Sequence, residues 1–158
     1  MLLELRFAAD PAQLCDMRRS ARTAMATLGC GAQWVAEVVL AINEACTNVI
    51  QHAYAGDVTG EIVLQIGRTD SELEVRVLDF APPVVVPNIR ARRLAEVRPG
   101  GLGTHFIKTV MDRWEYGNLP DGTGNFLHMR KRIVASREWV ASAPPPARGV
   151  EKCPPRSS

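Results

Sequence analysis

Four kinds of sequence feature are missing from this chain of 158 residues, and each absence argues against a class of protein. No CxxC pair and no histidine at metal-ligand spacing accompanies its cysteines, Cys15, Cys30, Cys46 and Cys153, so neither zinc site nor disulfide framework is indicated. No apolar run approaches the roughly 18 residues of a membrane span, and the first residues lack the basic and apolar regions of a signal peptide. The net charge of +2 is too small to indicate nucleic acid or an anionic membrane as the main partner. We therefore expect a cytoplasmic protein with reduced cysteines that binds neither nucleic acid nor a membrane directly.

A long apolar stripe of helical period is present between residues 35 and 54. Its members recur at i, i+3, i+4 and i+7, and they are Val35, Val38, Val39, Ile42, Cys46, Val49, Ile50 and Ala53. Glu44, Asn48 and His52 follow one another at i+4, so a continuous helix places them in a polar row beside the stripe. A carboxylate accepts protons and an amide oxygen binds hard cations. The row therefore predicts a ligand site against a dry core.

This stretch resembles the N box of the Bergerat-fold ATPases, and most closely that of the anti-sigma-factor serine/threonine kinases. The family pattern reads Glu-Ala, two variable residues, Asn, three variable residues and then His-Ala-Tyr. The sequence matches it at Glu44, Ala45, Asn48, His52, Ala53 and Tyr54. We interpret His52 as a structural residue at the helix end. No dedicated helix with a phosphoacceptor histidine is evident, which argues against a two-component histidine kinase.

The remaining segments predict an α+β fold. Their order is strand, helix, helix, hairpin, loop, helix and hairpin, at residues 3–7, 11–28, 35–54, 62–79, 80–100, 104–111 and 114–134. We expect a two-layer α/β sandwich, with a mixed, mostly antiparallel sheet covered on one face by helices, as the Bergerat resemblance also implies. Residues 1–134 are predicted to form this domain. Residues 135–158 are rich in proline and are predicted to be a disordered tail.

Asp79 ends the second strand of the first hairpin and has two interpretations. It either starts the turn before Pro82, or it corresponds to the aspartate of the family's G1 box, which accepts a hydrogen bond from the adenine amino group. The glycine that the G1 box places two residues later is Ala81 here, and the later position holds Pro83. Because both residues carry atoms that glycine lacks, we expect the loop to approach the base less closely, which puts ATP affinity in doubt.

A glycine-rich segment precedes the third predicted helix and resembles the G2 box. Glycines let backbone N–H groups point at phosphate oxygens, and the helix N-terminus adds favourable partial charge. The predicted nucleotide-binding residues of this segment are Gly101, Leu102, Gly103 and Thr104. The preceding loop, residues 80–100, is long for a compact domain and is interpreted as a lid over the site.

Three arginines follow one another on the first predicted helix, at positions 18, 19 and 22. They form either a solvated face or a partner surface. The related kinases use a helix-borne arginine near this point to engage protein partners, so Arg18 and Arg22 are the candidate partner-binding residues.

Taken together, the resemblance implies a kinase that binds ATP with Mg²⁺. Glu44 would be the catalytic base, Asn48 would coordinate Mg²⁺ and Asp79 would bind adenine. The implied substrate is a small STAS-domain anti-sigma-factor antagonist, and the second partner is an RNA polymerase sigma factor. Homodimers are usual in the family. The alternative, motivated by Ala81 and Pro83, is a catalytically weak or inactive module that binds partners in a nucleotide-sensitive way.

Overall fold

A computed structural model of the chain describes residues 1–83 and 102–135, with backbone alone for residues 102–104. The regular elements of these ranges are β1 (Leu3–Ala8), α1 (Leu14–Met25), α2 (Ala32–Asn48), β2 (Glu61–Arg68), β3 (Glu72–Asp79), α3 (Leu102–Val110), β4 (Arg113–Asn118) and β5 (Asn125–Arg132). Short 3₁₀ turns flank α1, and a π-helix, Val49–Ala53, follows α2. None of the described helices combines the length and the apolar character needed to cross a bilayer. The predicted lid and tail lie almost entirely outside the described residues.

The five strands form one sheet in the order β1-β2-β3-β5-β4, and all four neighbouring pairs are antiparallel. Residues directly opposite each other share a face of an antiparallel sheet. The register therefore places Phe7, Ile62, Asp79 and Asn125 in one row across four strands, all on the same face. This row lies at one end of the sheet.

The helices cover the face of the sheet that carries this row. Alternate strand residues point into the resulting core, including Leu64, Ile66, Val75, Val77, Leu127 and Met129. Helix α2 packs against α1, α3 and β3, and the apolar stripe predicted for it is buried from Val35 to Ile50. The predicted α+β arrangement of two layers is therefore confirmed.

Helix α2 spans the sheet from one end to the other. Near its start, the Trp34 indole donates a hydrogen bond of 3.2 Å to the carbonyl of Arg132, the last residue of β5. Just past its end, the Tyr54 hydroxyl donates a hydrogen bond of 2.7 Å to the carbonyl of Glu61, the first residue of β2. The second half of α2 therefore approaches the end of the sheet where Asp79 lies.

The prediction of one continuous α-helix through residue 54 is wrong beyond Asn48. The chain continues as a π-helix, in which the Tyr54 N–H donates to the carbonyl of Val49, five residues back. This wider turn leaves the His52 side chain exposed, while Glu44 and Asn48 stay half-buried. The polar row predicted from i+4 spacing thus loses its last member, because the α-helical period ends at Asn48. Single π-turns of this kind are frequent at functional sites.

Candidate functional site

Glu44 and Asn48 lie one turn apart in the last part of α2. Both side chains are half-buried beside the core residues Ala45 and Val49. A carboxylate and an amide oxygen on one helix face present hard oxygen donors of the type that Mg²⁺ prefers. The donor chemistry therefore fits a magnesium ion, and the carboxylate is also suited to accept a proton.

Asp79 ends β3 with its side chain buried, at 3% exposure. Its Oδ1 accepts a hydrogen bond of 3.2 Å from the Ala81 N–H, which makes it a turn-forming residue, as the first interpretation expected. The same Oδ1 accepts a hydrogen bond of 2.7 Å from the side-chain amide of Asn125. Because two donors fix one oxygen, the plane of a buried carboxylate is held in one orientation. The two interpretations of Asp79 are therefore compatible.

Asn125 is a site residue that the sequence reasoning missed. It is completely buried at the start of β5, and its Nδ2 also donates to the Ala81 carbonyl at 3.4 Å. The amide thus joins both ends of the turn that follows Asp79. One signal was available in the sequence: Asn125, Leu127 and Met129 alternate on the inward face of β5, and a polar residue at an inward position requires a partner.

The close backbone contact at this turn involves Gly124. A Cβ added to it would lie 2.0 Å from the Asp79 carbonyl oxygen and 2.9 Å from the Phe80 Cα. No side chain fits between these backbones, so the start of β5 is pressed against the turn. At Ala81, where the G1 pattern has glycine, a buried methyl group is accommodated. The described turn therefore needs a glycine at position 124, directly before β5, where the chain passes the main chain of Asp79 and Phe80.

The first turn of α3 contains three of the four residues predicted to hold phosphates, Leu102, Gly103 and Thr104; Gly101 lies outside the described residues. The helix begins two residues earlier than predicted, so Gly103 belongs to it and not to the loop before it. The last turn of α3 shares a groove with Gln33 and Ala36, near the start of α2. Because the two helices pack along each other, the N-terminus of α3 is directed toward the half of α2 that carries Glu44.

The two candidate partner-binding arginines differ in their surroundings. Arg22 is exposed on α1. Arg18 is half-buried, and its Nη1 donates a hydrogen bond of 2.8 Å to the side-chain oxygen of Asn43. The expectation that Arg18 lies on the exposed side of the helix is therefore wrong, because its guanidinium joins α1 to α2 beside Glu44.

Comparison with known sequences gives a consistent result. Residues 7–131 match the family described as "Histidine kinase-like ATPase domain". The serine-protein kinases RsbW of Bacillus licheniformis and Bacillus subtilis are each 27% identical over 118 residues, which cover 70% of this chain and 74% of theirs. RsbW of Bacillus cereus is 35% identical over 86 residues, covering 49% of this chain and 53% of its own.

Solved structures show the same fold. The RsbU and RsbW domains of a Mycobacterium tuberculosis protein superpose with a TM-score of 0.58 at 21% identity, over 83% of this chain. That match spans only 31% of the two-domain protein. The histidine kinase domain of a blue-light activated kinase from Erythrobacter litoralis gives a TM-score of 0.52 at 18% identity, covering 81% of this chain and 64% of its own. The resemblance drawn from the N box is thereby confirmed at the level of the fold and the family.

Proposed function

Because this chain belongs to the histidine kinase-like ATPase domain family, which matches most of its length, we propose that it is an ATP-dependent serine/threonine protein kinase of the anti-sigma type. One observation carries the proposal. The half of α2 with Glu44 and Asn48 approaches the end of the sheet where the buried Asp79 is fixed by Asn125. This approach supports the proposal, in which Asp79 binds the base, Asn48 binds the metal ion and Glu44 accepts the proton.

Asp79 binds the adenine base in this proposal. A buried carboxylate that faces an exocyclic amino group selects for that donor, because a base without it leaves the carboxylate desolvated and uncompensated. Asn125 and the Ala81 N–H hold Oδ1, so the carboxylate meets the base in a preset orientation. Preorganisation of this kind lowers the entropic cost of binding.

Asn48 is the residue of this chain that would hold Mg²⁺, through its side-chain oxygen. When bound, ATP supplies the phosphoryl group, and Mg²⁺ supplies the positive charge that offsets the triphosphate. Glu44, one turn before Asn48, takes the proton of the acceptor hydroxyl or orients that hydroxyl. The backbone N–H groups at the start of α3 bind phosphate oxygens, with Gly101, Leu102, Gly103 and Thr104 as the binding segment.

The names of the relatives support a serine as the acceptor, since they are serine-protein kinases RsbW. The family resemblance extends the proposal, in which the acceptor is a serine or threonine of a STAS-domain anti-sigma-factor antagonist. Arg18 and Arg22 on α1 are proposed to contact the antagonist or a sequestered RNA polymerase sigma factor. The protein is proposed to act in the cytoplasm, as a homodimer.

A second function is favoured by one departure from the family pattern. Ala81 and Pro83 stand where the G1 box has glycines, which suits a nucleotide-sensitive binding module without turnover. Calorimetry with ATP and Mg²⁺, followed by transfer from γ-labelled ATP to STAS-domain proteins of the same genome, separates the two. Label on the antagonist supports the kinase. Tight antagonist binding without label supports the module, and the absence of any ATP binding contradicts both.

A further inference from the structure

The hydroxyl of Tyr54 joins two strands that it does not belong to. It donates a hydrogen bond of 2.7 Å to the carbonyl of Glu61, the first residue of β2. It also accepts a hydrogen bond of 2.9 Å from the N–H of Phe80, the residue directly after β3. One oxygen atom therefore bridges the main chains of two neighbouring strands at the end of the sheet.

This hydroxyl replaces a main-chain hydrogen bond between β2 and β3. Thr69 and Glu72 form a hydrogen-bonded pair at the turn of the β2/β3 hairpin. Hydrogen-bonded pairs recur at every second residue of an antiparallel ladder, so the register continues to Val63 with Leu78 and then to Glu61 with Phe80. At that last position the Phe80 N–H bonds to Tyr54, and Tyr54 bonds to the Glu61 carbonyl. The Tyr54 hydroxyl oxygen therefore lies between the two main chains at that position.

The insertion sets where β3 leaves β2. Phe80 immediately follows Asp79, and its main chain is held from two sides. On the β2 side, the Phe80 N–H donates to the Tyr54 hydroxyl. On the β5 side, Gly124 lies so close that an added Cβ would come within 2.9 Å of the Phe80 Cα. Because a peptide unit is planar, fixing the Phe80 N–H also fixes the Asp79 carbonyl, and with it the start of the turn whose side-chain contacts hold the carboxylate.

The Tyr54 ring is itself tightly placed. The backbone N–H of Tyr54 donates to the carbonyl of Val49 at the end of the π-helix. The ring of Tyr54 packs against Gly60. A Cβ at Gly60 would come within 2.4 Å of the ring carbon Cε1. The helix that carries Asn48 is thus linked, through five residues of π-helix and one aromatic ring, to the turn that carries Asp79.

We propose that Tyr54 is a positioning residue for base recognition, because its hydroxyl, inserted between Glu61 and Phe80, holds the turn from which Asp79 reads the purine. The proposal rests on the nucleotide-binding function proposed above. Tyr54 does not touch the ligand. It acts through the Phe80 main chain, so its loss changes discrimination between bases more than affinity for the phosphates.

The test compares Tyr54→Phe with the unaltered protein in calorimetry with two ligands: ATP, and purine riboside triphosphate, which lacks the 6-amino group. We expect the ratio of the two affinities to fall about fivefold, the equivalent of one hydrogen bond. Thr69→Val is the matched control. Its hydroxyl also bonds to the main chain, accepting from the N–H of Glu72, the first residue of β3, at 3.1 Å, but at the opposite end of the same hairpin. This control should lower the melting temperature without changing the ratio.

A second variant disturbs the position of the same hydroxyl without removing it. Gly60→Ala keeps Tyr54 but displaces its ring, so it should reduce the ratio in the same direction. If Tyr54→Phe and Gly60→Ala lower stability while the ratio stays that of the unaltered protein, the positioning role is wrong. If the unaltered protein binds neither triphosphate, the proposed nucleotide-binding function fails.

Discussion

The side-chain amide of Asn125, at the start of β5, donates a hydrogen bond of 2.7 Å to the carboxylate of Asp79, at the end of β3. The two residues lie directly opposite each other in the sheet, and both are buried. A carboxylate is costly to bury without donors, so this amide, together with the Ala81 N–H, stabilises Asp79 in the core. The fold thereby keeps a hydrogen-bond acceptor inside its hydrophobic layer.

Removal of this amide should destabilise the fold as well as the site. We expect Asn125→Ala to lower the free energy of unfolding by about 2–3 kcal/mol, because a buried carboxylate loses a donor. Urea denaturation measures it. In a double-mutant cycle with Asp79→Ala, the second change should cost much less than it does alone. Additive losses would show that the two side chains do not depend on each other.

Gly124 is a position where a methyl group should be poorly tolerated. Its Cβ would lie 2.0 Å from the Asp79 carbonyl oxygen, so Gly124→Ala forces two main chains apart. We expect a loss of about 2 kcal/mol or more in chemical denaturation. Gly67→Ala, on β2, is the control, since nothing lies within 4 Å of its Cβ position. Equal stability of the two variants would contradict the close contact.

Glu44 should be required for transfer and not for nucleotide binding. We expect Glu44→Ala to reduce phosphotransfer to an antagonist by about a hundredfold or more, the usual range for a general base, while ATP still binds. Glu37→Ala provides the control. Glu37 lies two turns earlier on α2, where its carboxylate accepts a hydrogen bond from Gln33. Transfer that survives in the Glu44 variant would remove the residue from its role.

Asn48 should control the dependence on magnesium. We expect Asn48→Ala to bind ATP similarly in EDTA, but to gain much less affinity when Mg²⁺ is added, because the ion loses a protein oxygen. Calorimetry with and without Mg²⁺ measures this gain. Asn43→Ala is a suitable comparison, since that amide on the same helix accepts from Arg18. An undiminished gain in the Asn48 variant would place the metal elsewhere.

His128 should make stability fall in mild acid. It is 8% exposed on the outer face of the sheet, and burial, followed by the nearby Arg130 and Arg76, lowers its pKa below the usual 6.5, against the opposing effects of Glu74 and Glu115. Above pH 6.5 the histidine is neutral in both states. Below it, the unfolded chain takes up the proton first, so stability is lost as pH falls toward the lowered pKa.

His128→Gln should remove this part of the pH dependence. Urea midpoints at pH 7.5 and 5.5 should therefore lie closer together in this variant than in the unaltered protein. The exposed His105, on α3, supplies the control substitution to glutamine. If the His128 variant keeps the full difference between the two midpoints, other groups cause the acid sensitivity.

Most of the elements and their buried faces follow from the periodicity of the sequence. The apolar stripe of α2 and the alternation in β2 and β3 recur with the periods of a helix and a strand, and burial depends directly on those periods. The N box could be recognised for the same reason, because Glu44 and Asn48 lie one helical turn apart on a single helix. Local spacing is sufficient when the residues that act together are neighbours along the chain.

Contacts between residues that are far apart in the chain depend on the tertiary fold. Asn125 lies 46 positions after Asp79, and Tyr54 lies 26 positions before Phe80. Their contacts depend on strand order, on register and on a π-turn that the α-helical period does not reveal. Arg18 was expected on an exposed face for the same reason, because its partner, Asn43, is on another helix. Hydrogen bonds between elements depend on how the helices pack on the sheet, and the periodicity of a sequence does not predict that packing.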